Sequence, residues 1–132
     1  MQQKLKVLII DDSEAVREAL KDILSEITIV ELIGEAMDGE FGIDLVTKLE
    51  PHVIILDLNM PKINGLDVLS FVKKNYPSII VIVMTNYPTE YFKLKCKKLG
   101  ADYFFDKSNE FELIYKALDD VSKKLKIFQE MK

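Results

Sequence analysis

Five side chains carry the chemistry this sequence offers, and each stands where an apolar run stops. Asp11 and Asp12 follow KVLII, Asp57 follows VIIL, Thr85 follows IVIVM, and Lys107 comes just after YFF. Carboxylates drawn together repel one another at neutral pH unless something offsets them. A hard divalent cation does so, and an all-oxygen donor set that keeps several waters suits Mg²⁺. With a hydroxyl and an ammonium added, the set fits a phosphoryl group. The cations neutralise its oxygens and the hydroxyl gives a hydrogen bond. A carboxylate can itself attack phosphorus. Asp57 is the candidate because it stands alone and central, which frees Asp11 and Asp12 to hold the metal. Taken singly, each has a plainer reading. An acid just after a strand often caps the next helix, Thr85 alone is a loop hydroxyl, and Lys107 alone is a solvated lysine. Their joint occurrence at the ends of four strands is what argues for a site.

Those ends exist only if the chain folds as alternating strands and helices. Short apolar runs predict strands at Lys4–Ile10, Thr28–Ile33, Val53–Leu56, Ile79–Met84 and Tyr103–Phe105. Helical periodicity predicts Ser13–Ile27, with Val16, Leu20, Ile23, Leu24 and Ile27 on one face, and Gly39–Leu49, with Phe41, Leu45 and Leu49 in step. Leu66–Lys74 follows, then Thr89–Leu99, which Gly100 closes as a left-handed stop. A last helix is expected from Asn109 to about Phe128, capped by Ser108 or Asn109, and Asn109 with Glu112 has capping-box spacing. Repeated βα units imply a parallel sheet covered on both faces. The layout suits an α/β, flavodoxin-like doubly wound (βα)5 fold, expected as a five-stranded parallel sheet in the order 2-1-3-4-5. Ligands bind such sheets beyond the carboxyl ends of the strands. In that order strands 1 and 3 are neighbours, so the acids meet.

The bulk numbers agree with one domain. The chain has 132 residues, of which 48% are hydrophobic, enough for a core without disulfides. Its formal net charge of -4 argues against nucleic-acid binding by this domain as a whole. The lone Cys96 forms no internal disulfide and fits a reducing compartment. No run has the form of a signal peptide or approaches the roughly 20 apolar residues of a membrane span. The expectation is a soluble, cytoplasmic protein with no membrane partner.

The stretches VLIIDDSEAVRE, VIILDLNMPKINGLDVL, IVIVMTN and GADYFFDKS together resemble the receiver domain of two-component response regulators, over roughly residues 4–120. The resemblance implies that Asp57 accepts a phosphoryl group from a sensor histidine kinase or phosphotransfer protein. It implies that Asp11, Asp12 and Asp57 bind Mg²⁺ together with the backbone carbonyl of Asn59. Thr85 and Lys107 then match the groups that close on the phosphoryl oxygens. Phe104 falls at the aromatic switch position, and Pro61 and Gly65 match the turn after the phosphorylated strand. The receiver domain is expected to span 1–122, with 123–132 extending the last helix. The output face is the one built from helix 4, strand 5 and helix 5. Homodimerisation through that face or the last helix is a further expectation.

Three residues depart from the family pattern. Ser108 stands where a proline is common, so a trans peptide is expected after Lys107. Asn86 follows the switch threonine where small residues are usual, and with Tyr87 and Asn59 it narrows access to the site. His52 precedes strand 3 where aspartate is frequent, and reads as a surface residue. Helix 4 is basic, with Lys93, Lys95, Lys97 and Lys98. One alternative is a pseudo-receiver that only binds partners, although the key acids and the lysine are all kept. Another is a haloacid-dehalogenase-type phosphatase, which needs a general acid two residues after its nucleophile, where this chain has Asn59. A flavin or nucleotide binder would want a Gly/Ser/Thr-rich loop after strand 1 instead of Asp11-Asp12-Ser13-Glu14.

Overall fold

A computed structural model describes residues 3–127. Five strands, β1 (Leu5–Ile10), β2 (Val30–Ala36), β3 (Val53–Asp57), β4 (Ile80–Thr85) and β5 (Tyr103–Asp106), form one sheet in the order β2-β1-β3-β4-β5. All pairs are parallel. Five helices alternate with them: α1 (Glu14–Ser25), α2 (Gly39–Leu49), α3 (Gly65–Asn75), α4 (Glu90–Lys98) and α5 (Leu113–Lys124). Successive strand residues point to opposite faces, and the core divides accordingly. Leu8, Ile10, Ile54, Leu56, Val81 and Val83 pack with residues of α2, α3 and α4 on one face. Val7, Ile9, Val53, Ile55, Ile82 and Met84 pack with α1 and α5 on the other. Because both faces are covered, β1 from Val7, β3 up to Leu56 and β4 up to Met84 read as apolar runs.

Three sequence expectations need correction. β2 begins at Val30, not Thr28, because Val30 N–H closes a turn on Ile27 C=O at 3.0 Å. Its pairing with β1 slips between Val7 and Leu8, and it runs on to Ala36. On α2, the buried residues are Gly39, Gly42 and Val46, while Phe41 is 48% exposed. Gly42 faces the sheet on this side: a Cβ there would lie 2.7 Å from Ile10 Cδ1, so a larger residue would need the buried Ile10 side chain to shift.

The third correction is the last helix, which spans Leu113–Lys124 and has no side-chain cap. Asp106 draws the expected caps into a turn of its own. Its Oδ1 accepts from Ser108 N–H and its Oδ2 from Asn109 Nδ2, both at 2.9 Å. The far end also stops early. Lys126 takes a left-handed φ of 59°, and Ile127 N–H returns to Ser122 C=O at 2.7 Å. Ile127 is buried against the α1/α5 core. The expected continuation to Phe128 and the remainder of 123–132 lie outside the described residues from 128 onward. Gly100, by contrast, has φ 98° after α4, as a left-handed stop requires.

Candidate functional site

The sheet order brings the ends of β1, β3, β4 and β5 to one edge. Ile10 pairs with Leu56, Asp57 with Met84, and Thr85 with Asp106. Each carboxylate of Asp11, Asp12 and Asp57 offers an oxygen, and the three lie within 4.8 Å of one another. Asp11 and Asp57 are buried, at 3% and 4% exposed, while Asp12 is open to solvent. Lys107 bridges the buried pair, with Nζ 2.7 Å from Asp11 Oδ2 and 3.2 Å from Asp57 Oδ1. The three acids and Lys107 therefore meet.

Local structure fixes each of them. Ser13, not Asp12, caps α1, accepting from Val16 N–H at 3.2 Å, so the Asp12 carboxylate stays free. Asp11 Oδ1 accepts from Ser13 N–H at 2.9 Å. Lys107 N–H donates to Thr85 C=O at 2.9 Å, which ties the β5 end to β4. The peptide after Lys107 is trans. Thr85 is fully buried, and its hydroxyl oxygen accepts from Tyr87 N–H at 3.0 Å and Asn59 Nδ2 at 3.5 Å. Neither bond uses the hydroxyl's own hydrogen. Asn86 and Tyr87 are exposed at the rim.

Behind β3 the chain turns within a few residues. Pro61 is exposed and Lys62 has φ 65°. Gly65 N–H then donates to Leu58 C=O at 2.9 Å. A Cβ on Gly65 would sit 2.2 Å from Asp57 O and 2.4 Å from Leu58 Cα. Both contacts are to backbone, so only glycine lets α3 start this close to the acid. Phe104 is half-buried against the core that holds Cys96. Cys96 is inert, with burial pushing its thiol up to about 11.

Burial is the main reason the Asp57 carboxyl is pushed up to about 6, and the Asp11 charge adds to it. Lys107 and Asn59 N–H, at 3.3 Å from Asp57 Oδ1, pull the other way without cancelling it. Three carboxylates and one ammonium leave a formal charge of minus two when all are ionised. One divalent cation cancels that, and the all-oxygen donor set suits Mg²⁺. The residues fit such an ion.

Two residues carry more here than the sequence suggested. His52 is half-buried at the opposite end of the sheet, and its Nδ1 accepts from Lys6 N–H at 2.9 Å. Arg17 on α1 donates from Nη1 to Asp11 C=O at 2.7 Å. Its signal was an arginine in step with Leu20 and Leu24, on the stripe that faces the sheet. Among the described residues, no helix is long and apolar enough to cross a membrane.

The sequence matches the family model described as the response regulator receiver domain over residues 7–119. The protein-glutamate methylesterase/protein-glutamine glutaminase of Pyrococcus horikoshii is 43% identical over 83 residues, 63% of this chain and 23% of that protein. The nitrate/nitrite response regulator protein NarL of Escherichia coli is 36% identical over 117 residues, 89% of this chain and 54% of that protein. This chain thus spans about a quarter to a half of the length of these curated relatives. The response regulator domain of Thermotoga maritima CheB superposes with a TM-score of 0.83 at 26% identity, covering 96% of this chain and 100% of that one. The isolated REC domain of RcsB from Salmonella enterica serovar Typhimurium gives 0.86 at 27% identity, covering 92% and 90%. The chain belongs to the receiver domain family of two-component response regulators.

Proposed function

We propose that Asp57 is the phosphoacceptor of this receiver domain, taking the phosphoryl group from the phosphohistidine of a sensor kinase or phosphotransfer protein. A carboxylate oxygen of Asp57 attacks phosphorus, the new P–O bond forms as the P–N bond breaks, and the imidazole leaves and takes up a proton. Oδ1 already accepts from Lys107 and Asn59 N–H, while Oδ2 has no protein donor among the described residues. The observation that carries the reading is the convergence of three carboxylates and the Lys107 bridge at one edge of the sheet.

Asp11, Asp12, Asp57 and the backbone carbonyl of Asn59 would hold Mg²⁺, which when bound supplies charge neutralisation for the phosphoryl oxygens. Lys107 pairs with the incoming oxygens. Thr85 gives them its free hydrogen, and Phe104 repacks as β5 adjusts. Pro61 and Gly65 keep the β3–α3 turn tight around the acceptor. The unit that switches is residues 1–122. Its output is conformational, because the new charge favours the state in which Thr85 and Lys107 close on it. The face proposed to change is α4–β5–α5, which meets an output domain, a partner or a second copy. No outside substrate is turned over, and the cytoplasm is the proposed compartment.

Intact-mass measurement after incubation with acetyl phosphate and Mg²⁺ tests this. One added phosphoryl group in wild type, lost in Asp57→Asn and without Mg²⁺, is expected. A folded wild type that gains nothing even from a phosphorylated kinase would leave only the pseudo-receiver reading.

A further inference from the structure

Arg17 touches no reacting group, yet its side chain is only 13% exposed and every polar contact it makes is charged or leads to the acids. Nη1 donates to Asp11 C=O at 2.7 Å, and Nε donates to Glu35 Oε1 at 2.8 Å. Glu35 stands on β2 opposite Ile9, and its Oε2 holds Lys21 Nζ at 2.5 Å. The result is a strut from β2, through α1, to the peptide that joins Asp11 to Asp12.

That peptide matters because the two acids are restrained differently. Asp11 is fixed at each polar atom: its N–H donates to Ala36 C=O at 3.0 Å, its Oδ1 accepts from Ser13 N–H, and its Oδ2 meets Lys107. Asp12 is exposed and accepts no hydrogen bond from the protein among the described residues. Only its backbone therefore restrains where its carboxylate can reach, and the carbonyl before it is held by Arg17. A guanidinium gives a rigid, charge-assisted bond there. Glu35 keeps the guanidinium aimed and offsets its burial.

We propose that Arg17, aimed by Glu35, is a positioning residue for the cation site, acting through the Asp11–Asp12 peptide to keep the Asp12 carboxylate turned toward Asp11 and Asp57. The inference rests on the Mg²⁺ reading of those acids. Groups that orient metal ligands without touching the metal commonly contribute tenfold or more to affinity, and about tenfold is expected here.

The test is calorimetric titration of the full chain with MgCl₂, with thermal unfolding of each variant as a check on folding. Arg17→Met keeps the aliphatic stem and should raise the Mg²⁺ dissociation constant about tenfold. Glu35→Gln should raise it less, and Lys21→Met, which also loses a contact to Glu35, should leave it near wild type. If Arg17→Met does not fold, Glu35→Gln against Lys21→Met carries the same comparison. In an Asp12→Asn background, Arg17→Met should add little further loss, because its target is already removed. Equal affinity of Arg17→Met and wild type would overturn the inference alone. So would a full extra loss on top of Asp12→Asn, which marks general loosening. A wild type that binds no Mg²⁺ would overturn the metal reading and this inference with it.

Discussion

Replacing Asp57 by asparagine should make the metal-free protein more stable. The carboxyl is pushed from 3.8 up to about 6 by burial and by Asp11. A raised acid holds its proton in the native state where the unfolded chain has already lost it. Stability therefore falls as pH rises from about 4 to about 6, and stays lower above that. The shift of about two units corresponds to about 3 kcal/mol. Asparagine is neutral and nearly isosteric. Its oxygen can still accept from Lys107 and Asn59 N–H, while Lys107 keeps Asp11 at 2.7 Å. For a domain of this size the gain amounts to a Tm higher by roughly 10 °C. The assay is thermal unfolding of both proteins in EDTA at pH 7.5 and again at pH 4. The gain should be present at pH 7.5 and nearly absent at pH 4. Saturating Mg²⁺ should narrow it by stabilising wild type more than the variant, which lacks one of the carboxylates. A variant no more stable than wild type at pH 7.5, or equally favoured at both pH values, would refute the electrostatic account.

Gly65→Ala should cost several kcal/mol or prevent folding, since its Cβ would lie 2.2 Å from Asp57 O; soluble yield and circular dichroism measure this. Ser13→Ala should lower stability by about 1 kcal/mol in urea titrations, through loss of the α1 cap. His52 is held below its ordinary value by desolvation and then by the positive charge of Lys6, and its Nδ1 accepts from Lys6 N–H. Its contribution is full above pH 6.5 and is lost as pH falls below that, so His52→Gln should flatten the stability profile between pH 7 and 5.

The acids were legible because an apolar run cannot end on carboxylate without a reason. β1 and β3 stop at Asp11 and Asp57 with no intervening polar ramp. Alternation pointed to a doubly wound parallel sheet, and the order 2-1-3-4-5 of that sheet brings Lys107 to the acids. Less legible were features decided by contacts far apart in sequence. The α2 face depended on how close Gly42 could come to Ile10. The α5 start depended on Asp106 competing for Ser108 and Asn109. Arg17 looked like one more polar residue on an amphipathic helix, because its partner Glu35 lies past Ile33, where the second strand was expected to end, whereas β2 runs on to Ala36.

The enclosure of Lys107 divides the electrostatics of the molecule by their response to ionic strength. Its side chain is 7% exposed and its partner carboxylates 4%. Counter-ions do not reach such a pair, whereas surface charges are screened over about 8 Å at physiological salt. Lys93, Lys95, Lys97 and Lys98 on α4 are all exposed. Potassium chloride will therefore erase the long-range pull of the α4 face while the Lys107 bridge persists. An association rate that collapses with added salt reports on exposed charges such as those of α4, and a step that ignores salt reports on buried pairs such as the Lys107 bridge.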